Sequence, residues 1–371
     1  MRRVLVVGQT PPPFGGQAVM IQALLGGCYG SATLSHVRMA FSREMDDVGK
    51  WRPGKLLHLA RVILSIIGRR LMGKCDILYY PPAGPNRVPF FRDVGILCAT
   101  RWMFDKVIFH FQAAGIEDLY ARLTRPEKAL FRWAYRSPDL VVRPAPLADD
   151  GRLIHGARDF IVPNGVPDEA AGCNLSREDG AMRRLLFVGV LCESKGVVTA
   201  VEALALLVKK GVRCHLELMG KLVASSFEDQ LKSIIRQRGI EENVTFLGIQ
   251  TGFEFRETYL RNGIFCFPTH FESEFFPIVL LEAMKFAMPI VATSWRGIPA
   301  MVEEGRTGFL VPIRDSQALA DRLEHLMSNP GEARCMGQRG RERYLKEYTL
   351  EHFRDRMDVV FRSLGEAGEH S

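Results

Sequence analysis

The segment ESEFFPIVLLEAM, residues 272–284, carries carboxylates at both ends of an apolar run. Burying an ionised carboxylate is costly unless the group is paired or hydrogen-bonded, so Glu274 and Glu282 need partners. Carboxylate oxygens accept hydrogen bonds, and neighbouring sugar hydroxyls are suitable donors. The physical interpretation is a site where one of the two glutamates binds a hexose and the other binds a ribose. The alternative is that Glu274 only caps a helix and that Glu282 only faces solvent.

This segment also predicts a helix that begins near Phe276 and Pro277, because proline is favoured in the first helical turn. Glu274 then lies just before the helix, and Glu282 lies within it. The N-terminus of a helix attracts phosphate oxygens. The pattern thus favours a ligand that joins a sugar to a ribose through a diphosphate.

The elements that must position these residues follow a regular alternation of short apolar runs and helical patterns. The predicted strands are RRVLVVG, CDILYY, KVIFHF, LVVRP, DFIVPNG, RRLLFVGVL, CHLELMG, NVTFLG, IFCFPTH and PIVATS. Such alternation is typical of parallel strands with helices on both faces. It restarts after the polar stretch 164–182, so we predict an α/β fold with two doubly wound, Rossmann-like domains facing a cleft. Ligands bind at the carboxyl ends of the strands in such sheets.

The overall composition agrees with two domains, since 371 residues exceed one ordinary core. The eight cysteines form no C-x-x-C pair, so neither a zinc site nor a disulfide framework is indicated, and a reducing cytosol is expected. The N-terminal apolar run is too short for a signal sequence and is assigned to a first strand. The sequence contains no run of about 18 apolar residues, so no transmembrane helix is predicted.

The positive charge is concentrated in the first half of the chain. Residues 1–170 carry 23 Lys/Arg and 15 Asp/Glu, whereas residues 171–371 carry 26 and 27. Such an asymmetry concerns binding partners rather than the fold. Nucleic acid is disfavoured, because the basic half lacks interleaved aromatic motifs or a known binding module.

The motifs after the opening segment carry a family resemblance. The E-x7-E array is followed by AM, MPIVAT, RGIP and GRTGFLV. Together they resemble the nucleotide-sugar half of family 4 glycosyltransferases, which have the GT-B fold. The resemblance implies an acceptor-side domain at 1–170, a donor domain at 171–351, and a C-terminal helix at 352–371 that returns to the first domain. It implies that the donor is bound by Glu274 and Glu282 and also by Phe275, Phe276, Ile278, Val279 and Gly297.

A lysine in the stretch FVGVLCESKGV, residues 187–197, resembles the lysine with which the family binds the donor diphosphate. Lys195 would stabilise the negative charge of the departing phosphate. The family's arginine falls on Val190, so one cation of the usual pair is missing. Arg296, in the stretch SWRGIP, is a candidate replacement. The alternative for Lys195 is an ordinary surface lysine at a helix start.

Two features of the first half resemble the acceptor side of the family. Gly15 and Gly16, in GQTPPPFGGQAV, would let the backbone approach a phosphate or the acceptor closely, unless they form a plain βα turn. The resemblance assigns both glycines to donor binding, on the phosphate side. His110 lies at the end of the strand KVIFHF, where the family places a histidine beside the reacting sugar. Gln112 stands where some members have a second histidine. His110 is therefore either a catalytic residue or a core residue behind Gln112.

A basic helical segment, residues 50–74, carries seven Lys/Arg and no acidic residue. A basic amphipathic helix of this kind binds anionic bilayers. The alternative is a crossover helix that covers the first sheet, and both interpretations are compatible with each other.

The resemblance implies a retaining, metal-independent hexosyltransferase that needs no cofactor. It would transfer a sugar from a nucleotide diphosphate sugar to a saccharide or lipid-linked saccharide in cell-surface polysaccharide assembly, in the cytoplasm or at the inner membrane face. The alternatives are a GT-B sugar-nucleotide epimerase or hydrolase and a catalytically silent sugar-binding subunit. The motifs do not specify the nucleotide base, the donor sugar, the acceptor or the linkage. They also do not specify the oligomeric state.

Overall fold

The computed structural model describes the following parts of the chain: residues 1–12, 15–41, 53–73, 75–146, 153–154 and 157–365. It contains two compact units. The first unit comprises Met1–Gly165 together with the segment that begins at Leu350, and the second is Val166–Thr349. The domain boundaries lie at 165/166 and 349/350. The sequence analysis placed them a few residues later, at 170/171 and 351/352.

The sheet of the first unit is parallel throughout and has the strand order β2-β1-β3-β4-β5-β6. Its strands are β1 (Arg2–Gly8), β2 (Ala32–Arg38), β3 (Ile77–Tyr80), β4 (Lys106–His110), β5 (Leu140–Arg143) and β6 (Arg158–Ile161). The order reverses between β1 and β3, where Val4 lies opposite Ile77. The carboxyl ends of these two strands therefore flank the position where open α/β sheets bind ligands.

Helices connect these strands on the two faces of the sheet. They are α1 (Gly16–Leu25), α2 (Pro53–Leu71), α3 (Arg87–Thr100), α4 (Ile116–Arg122) and α5 (Arg125–Ala134). The predicted basic segment 50–74 is thus mainly α2, with residues 50–52 and 74 outside the described chain. Among the helices of the described residues, none is long and apolar enough to cross a bilayer.

The second unit repeats the architecture with the strand order β12-β11-β10-β7-β8-β9, again parallel. Its strands are β7 (Arg184–Val188), β8 (His215–Met219), β9 (Val244–Gly248), β10 (Ile264–Phe267), β11 (Ile290–Thr293) and β12 (Gly308–Val311). Its helices are α6 (Val197–Lys209), α7 (Ser225–Arg238), α8 (Gly252–Arg261), α9 (Ile278–Lys285), α10 (Ile298–Met301), α11 (Ser316–Ser328) and α12 (Pro330–Glu347). The order reverses between β7 and β10.

The last described helix, α13 (Leu350–Ser363), belongs to the first unit. Asp358 accepts hydrogen bonds from the backbone N–H of Ser31 at 3.0 Å and from its hydroxyl at 2.6 Å. The ring of Phe361 packs edge-on against Tyr29 with 5.2 Å between centroids. The chain thus returns to its starting unit, and residues 366–371 of the predicted helix lie outside the described residues.

These observations confirm the predicted α/β class with two doubly wound units. Each of the ten predicted runs contains an observed strand, whereas β2 and β12 were not predicted. The helix after β10 begins at Ile278, with Pro277 as its N-cap residue, slightly later than expected.

A buried arginine fixes the C-terminal ends of two helices in the second unit. Arg177 is 6% exposed, and burial lowers its pKa to about 10. Its guanidinium donates hydrogen bonds to four backbone carbonyls at the ends of α8 and α9, those of Tyr259, Asn262, Phe286 and Ala287. Because α8 carries Tyr259 and α9 carries Glu282, Arg177 fixes the two helices on which part of the candidate site depends.

We expect Arg177→Met to destabilise the protein by on the order of 3 kcal/mol, because several buried carbonyls lose a charged donor. Urea unfolding measures this change. Arg236→Met, at an exposed position on α7, is the matched control and should change stability by less than about 0.5 kcal/mol. Equal effects of the two substitutions would contradict the assigned role of Arg177.

Candidate functional site

The candidate site of the second unit lies where its strand order reverses. The loop after β7, residues 189–196, meets the loop after β10, residues 268–277. The N–H of His270 donates to the carbonyl of Ser194 at 2.8 Å. Gly196 has φ +82°, and a Cβ atom there would lie 2.0 Å from the carbonyl oxygen of Pro268. Only glycine allows this close approach, so the two loops contact each other backbone to backbone.

Lys195 and Glu274 form an ion pair across these two loops. The Lys195 Nζ lies 2.6 Å from Glu274 Oε2, and the two side chains are only 18% and 9% exposed. Thr269 Oγ1 donates to the same oxygen at 3.2 Å. The ammonium also lies 4.5 Å from the centre of the Phe271 ring, within range of a cation–π interaction.

Lys195 is the partner within the chain that compensates the buried charge of Glu274. Glu274 does not cap the following helix, because α9 begins without a side-chain cap and the carboxylate instead accepts from Lys195 and Thr269. Lys195 is also not an ordinary surface lysine. An ammonium has three N–H donors, so Lys195 can bind Glu274 and still donate to an anion. A largely buried cation at the carboxyl ends of two central strands is chemically suited to a phosphate.

Glu282 is held separately, on the fifth residue of α9. The hydroxyl of Tyr259 donates to Glu282 Oε2 at 3.0 Å. Burial raises the pKa of Glu282 above its usual value, although the Lys285 ammonium opposes this shift. Glu282 therefore does not lie on a solvated helix face, as the alternative interpretation had it. Hydrogen bonds connect it to Tyr259 rather than to the Lys195–Glu274 pair.

The residues between the two glutamates are fixed by packing. Phe275 and Phe276 are buried, and Phe276 packs edge-on against Tyr348. Gly297 approaches this loop so closely that a Cβ atom there would lie 1.9 Å from the Phe275 carbonyl oxygen. Because Ile278 and Val279 occupy the first turn of α9, their N–H groups have no acceptor within the helix.

The loop after β11 braces the same segment from the other side. The indole N–H of Trp295 donates to the carbonyl of Phe271 at 2.9 Å. The guanidinium of Arg296 lies over the Trp295 ring at 4.9 Å, and Arg296 itself has φ +50°. Arg296 is thus stacked on an aromatic neighbour beside the site, and its assignment as the second phosphate-binding cation stays a prediction.

In the first unit, His110 is the centre of a buried hydrogen-bonded chain. Its Nδ1 lies 2.5 Å from the Tyr79 hydroxyl, and its Nε2 lies 2.7 Å from the side-chain amide of Gln112. His110 is fully buried, and burial lowers its pKa to about 3. Both ring nitrogens are occupied and the imidazole is neutral, so the part of this chain that reaches the surface is Gln112, which is partly exposed.

The two predicted glycines lie at the first helix of the same unit. Gly15 is the N-cap residue of α1 and Gly16 begins the helix, following β1 at the reversal of strand order. Arg38 supports the preceding loop by donating to the carbonyls of Thr10, Pro11 and Pro12. The glycines therefore lie at a helix N-terminus on the ligand-binding edge of the sheet.

Sequence reasoning missed the side chains that hold the predicted ones. Thr269 and Phe271 contact the Lys195–Glu274 pair, Tyr259 binds Glu282, and Tyr79 binds His110. Thr269 and Phe271 lie within five residues of Glu274 in the loop after β10, so the local sequence carried a signal for them. Tyr259 and Tyr79 lie on other elements, and no local pattern distinguishes them from core aromatics.

Comparison with known families gives a class for the second unit. Residues 176–343, which include most of that unit, match the family model described as Glycosyl transferases group 1. This match agrees with the resemblance found in the motifs, and the finer assignment to family 4 stays a prediction.

Two curated relatives are glycosyltransferases. The chain is 33% identical over 274 residues to a putative colanic acid biosynthesis glycosyltransferase, WcaL, of Salmonella typhimurium, covering 70% of this chain and 63% of that protein. It is 29% identical over 335 residues to the alpha-D-kanosaminyltransferase of Streptomyces kanamyceticus, covering 86% and 84%. The match thus spans just under two thirds of the first relative and most of the second.

A solved structure extends the likeness to the whole fold. Anabaena Alr3699/HepE in complex with UDP superposes with a TM-score of 0.73 at 15% identity, covering 98% of this chain and 100% of that chain. The same protein has also been solved in complex with UDP-glucose, with a TM-score of 0.72, 16% identity and coverage of 97% and 99%. At this identity the similarity establishes a shared fold.

The glycine contact between the two loops can be tested with a matched pair of substitutions. Gly196 and Gly211 both have positive φ, +82° and +80°, but a Cβ atom at Gly211 would meet nothing within 4 Å. Gly211→Ala should cost about 1 kcal/mol of stability for its backbone conformation alone. Gly196→Ala should cost roughly a further 1–3 kcal/mol, because the methyl group separates the loops.

Thermal and urea unfolding of both variants checks this expectation. Gly196→Ala should also weaken binding of a nucleoside diphosphate, because the loop carries Lys195, whereas Gly211→Ala should not. Identical losses of stability in the two variants would refute the close contact.

Proposed function

We propose that the chain is a retaining glycosyltransferase that uses a nucleotide diphosphate sugar as donor. The observation that carries this proposal is the Lys195–Glu274 pair, held at the reversal of strand order by two touching loops. A cation for a diphosphate and a carboxylate for sugar hydroxyls are the two groups that such a donor requires at the bond that breaks. The glycosyltransferase relatives and the match of the second unit support the same class.

The donor is assigned to the second unit residue by residue. Lys195 binds the diphosphate, helped by N–H groups at the start of α9 near Phe275, Phe276, Ile278 and Val279. Glu274 accepts hydrogen bonds from hydroxyls of the transferred hexose, and Glu282 accepts from the ribose while Tyr259 holds it in place. Gly297 keeps the loop of Phe275 in position. That Anabaena HepE was solved with UDP and UDP-glucose makes uridine donors the first choice for testing.

In the reaction, the bond between the anomeric carbon and the distal phosphate oxygen breaks, and the same carbon forms a bond to an acceptor hydroxyl oxygen. The acceptor's proton is released, and the nucleoside diphosphate leaves with the bonding electron pair. Lys195 stabilises the negative charge that develops on the leaving diphosphate. Because the ammonium supplies this charge, the proposed mechanism requires no metal ion.

The acceptor is assigned to the first unit, and Gly15 and Gly16 of that unit are assigned to the phosphate groups of the donor. Gln112 is the substrate-facing end of the chain that runs through His110 and Tyr79, and His110 acts on substrate only through Gln112. The acceptor is a saccharide or lipid-linked saccharide in cell-surface polysaccharide assembly. This choice is supported by relatives such as the colanic acid glycosyltransferase of Salmonella typhimurium.

We further propose that the enzyme is cytoplasmic and binds the inner membrane face through the segment 50–74. The exposed leucines of α2 support this contact, because Leu57, Leu64 and Leu71 recur at seven-residue spacing and therefore share one side of the helix. A lipid-linked acceptor would lie at that surface.

Two observations favour a second candidate, a catalytically silent sugar-binding subunit. His110 is sealed and neutral, and Val190 stands in place of the family arginine. Such a subunit would bind the nucleotide sugar without transferring or hydrolysing it. A sugar-nucleotide hydrolase or epimerase would instead consume the donor without an acceptor.

The donor site is tested by Lys195→Ala and Glu274→Gln, with Lys209→Ala at an exposed position on α6 as control. Thermal shifts with a panel of nucleotide sugars identify the donor, since a ligand that binds only the folded state raises its stability. With that donor and a chelator present, Lys195→Ala should lower the transfer rate by about a hundredfold or more, because the leaving group loses its cation. Lys209→Ala should leave the rate unchanged.

Glu274→Gln separates sugar binding from phosphate binding. It should weaken binding of the nucleotide sugar but leave binding of the free nucleoside diphosphate intact, whereas Lys195→Ala should weaken both. Donor binding without any turnover would support the silent subunit, and consumption of donor without acceptor would support the hydrolase or epimerase. Wild-type rates in both variants would remove these assignments.

The raised pKa of Glu282 predicts how donor binding depends on pH. The carboxylate must be ionised to accept two ribose hydroxyls, and burial keeps it protonated to a higher pH than an ordinary carboxyl group. Affinity for the nucleoside should therefore still be rising with pH above the range in which an ordinary glutamate titrates. Titration calorimetry of wild type and Glu282→Gln isolates this contribution, since the titration of the nucleotide's own phosphate is common to both. Parallel pH curves would contradict the role of Glu282.

A further inference from the structure

The first unit exposes an unusual amount of large apolar surface on one layer of helices. Helix α3 packs against both α2 and α5, so the three helices lie side by side. The prominent exposed residues of this layer are Leu57, Leu64, Leu71, Phe91, Trp102 and Trp133. A large exposed apolar surface of this kind is typical of an interaction site, because ordinary solvent-facing surfaces are more polar.

Helix α2 is apolar on two opposite sides. Val62 and Ile66, four residues apart, are buried against the unit's core at 3% and 0% exposure. Leu64 and Leu71, on the other side, are 66% and 74% exposed. A helix that only covers a sheet needs one apolar side, so the outer leucines have no function within the described unit.

The two neighbouring helices extend this surface. In α3, Phe90 is buried while Phe91 is 46% exposed, and in α5, Phe131 is buried while Trp133 is 47% exposed. Trp102 follows α3 and is 72% exposed. Arg70, near the end of α2, donates to the carbonyl of Met103, so the exposed end of α2 lies next to the turn that carries Trp102.

The same layer is strongly basic. Helices α2, α3 and α5 contain nine Lys/Arg and only two acidic residues, Asp93 and Glu127. Asp93 is fully buried and forms an ion pair with Arg92, so the two charges cancel, which leaves eight Lys/Arg and one acidic residue on the layer. Apolar side chains that project from a basic surface are complementary to an anionic bilayer, whose headgroups attract Lys and Arg.

The two tryptophans border one cavity of about 270 Å³ at the end of this layer. Arg101 and Arg136 also line it, and the Arg136 guanidinium lies 5.7 Å from the Trp133 ring. Tryptophan rings are favoured at the depth of lipid headgroups, where the ring is apolar and its N–H remains hydrated. Paired with arginines, they are suited to a phosphate-bearing headgroup.

We propose that the whole layer of α2, α3 and α5, together with the turn of Trp102, binds the surface of an anionic bilayer. Trp102 and Trp133 insert at headgroup level, and Arg136 faces the lipid phosphates, while Arg101 donates to the carbonyls of Ala134 and Ser137 and holds the turn of Trp102 in place. This proposal rests on the membrane contact proposed above for 50–74 and extends it to residues outside that segment. The layer thus presents the first unit to its acceptor in a fixed orientation on the membrane.

The test is flotation of the full chain with phosphatidylcholine vesicles, either pure or containing about 30% phosphatidylglycerol, at low and high salt. Binding should require the anionic lipid and weaken with salt. The double substitution Trp102→Ala/Trp133→Ala should lower the partition coefficient about tenfold, because two interfacial anchors are lost. Ile249→Ala/Phe253→Ala is the matched control, since these residues are 70% and 68% exposed on the second unit, and it should bind as the wild type does.

A third variant, Leu57→Ser/Leu64→Ser/Leu71→Ser, separates this proposal from the one on which it rests. If the leucine variant loses binding and the tryptophan variant keeps it, the contact is confined to 50–74 and the larger surface is refuted. Self-association that the tryptophan variant abolishes, without vesicle binding, would instead make the layer a contact between copies of the chain. Donor turnover on a soluble acceptor is unaffected in every variant, so the test is independent of the assigned catalytic residues.

Discussion

The ion pair between Lys195 and Glu274 is the interaction on which the candidate site depends. It joins the loop after β7 to the loop after β10, the two strands between which the sheet reverses its order. In a site that is largely removed from water, each charge compensates the burial cost of the other. The pair therefore holds both side chains in place before any ligand arrives. A diphosphate that binds Lys195 adds hydrogen bonds to an ammonium already oriented, which reduces the entropy lost on binding.

The structure around this pair is built to hold it still. Gly196 and Gly297 let backbone segments touch where a Cβ atom would collide, and Trp295 donates to the loop from outside. Beneath them, Arg177 fixes the ends of α8 and α9, and through these helices the positions of Tyr259 and Glu282. Such support is what allows a site on loops to reach the precision usually associated with helices and strands.

The sequence predicted the fold well because buried parallel strands are continuous apolar runs that end in turn residues. The exceptions have physical reasons. Strand β2 is an edge strand with Thr, Ser and His among its residues, so it resembles a loop, and β12 has only four residues. Lys195, Glu274 and Glu282 could be predicted because their motifs are local. Tyr259, Tyr79 and the burial of His110 could not, because they depend on contacts between elements far apart in the chain.

The buried imidazole of His110 stays neutral over the pH range in which a histidine normally titrates. Because burial holds its pKa at about 3, the ring carries no charge anywhere in the physiological range. The segment after β4 therefore presents a neutral amide dipole at Gln112, which can either donate or accept a hydrogen bond according to the imidazole tautomer behind it. Under the proposed function, a substrate hydroxyl would be selected there by geometry, and this selection would be insensitive to pH.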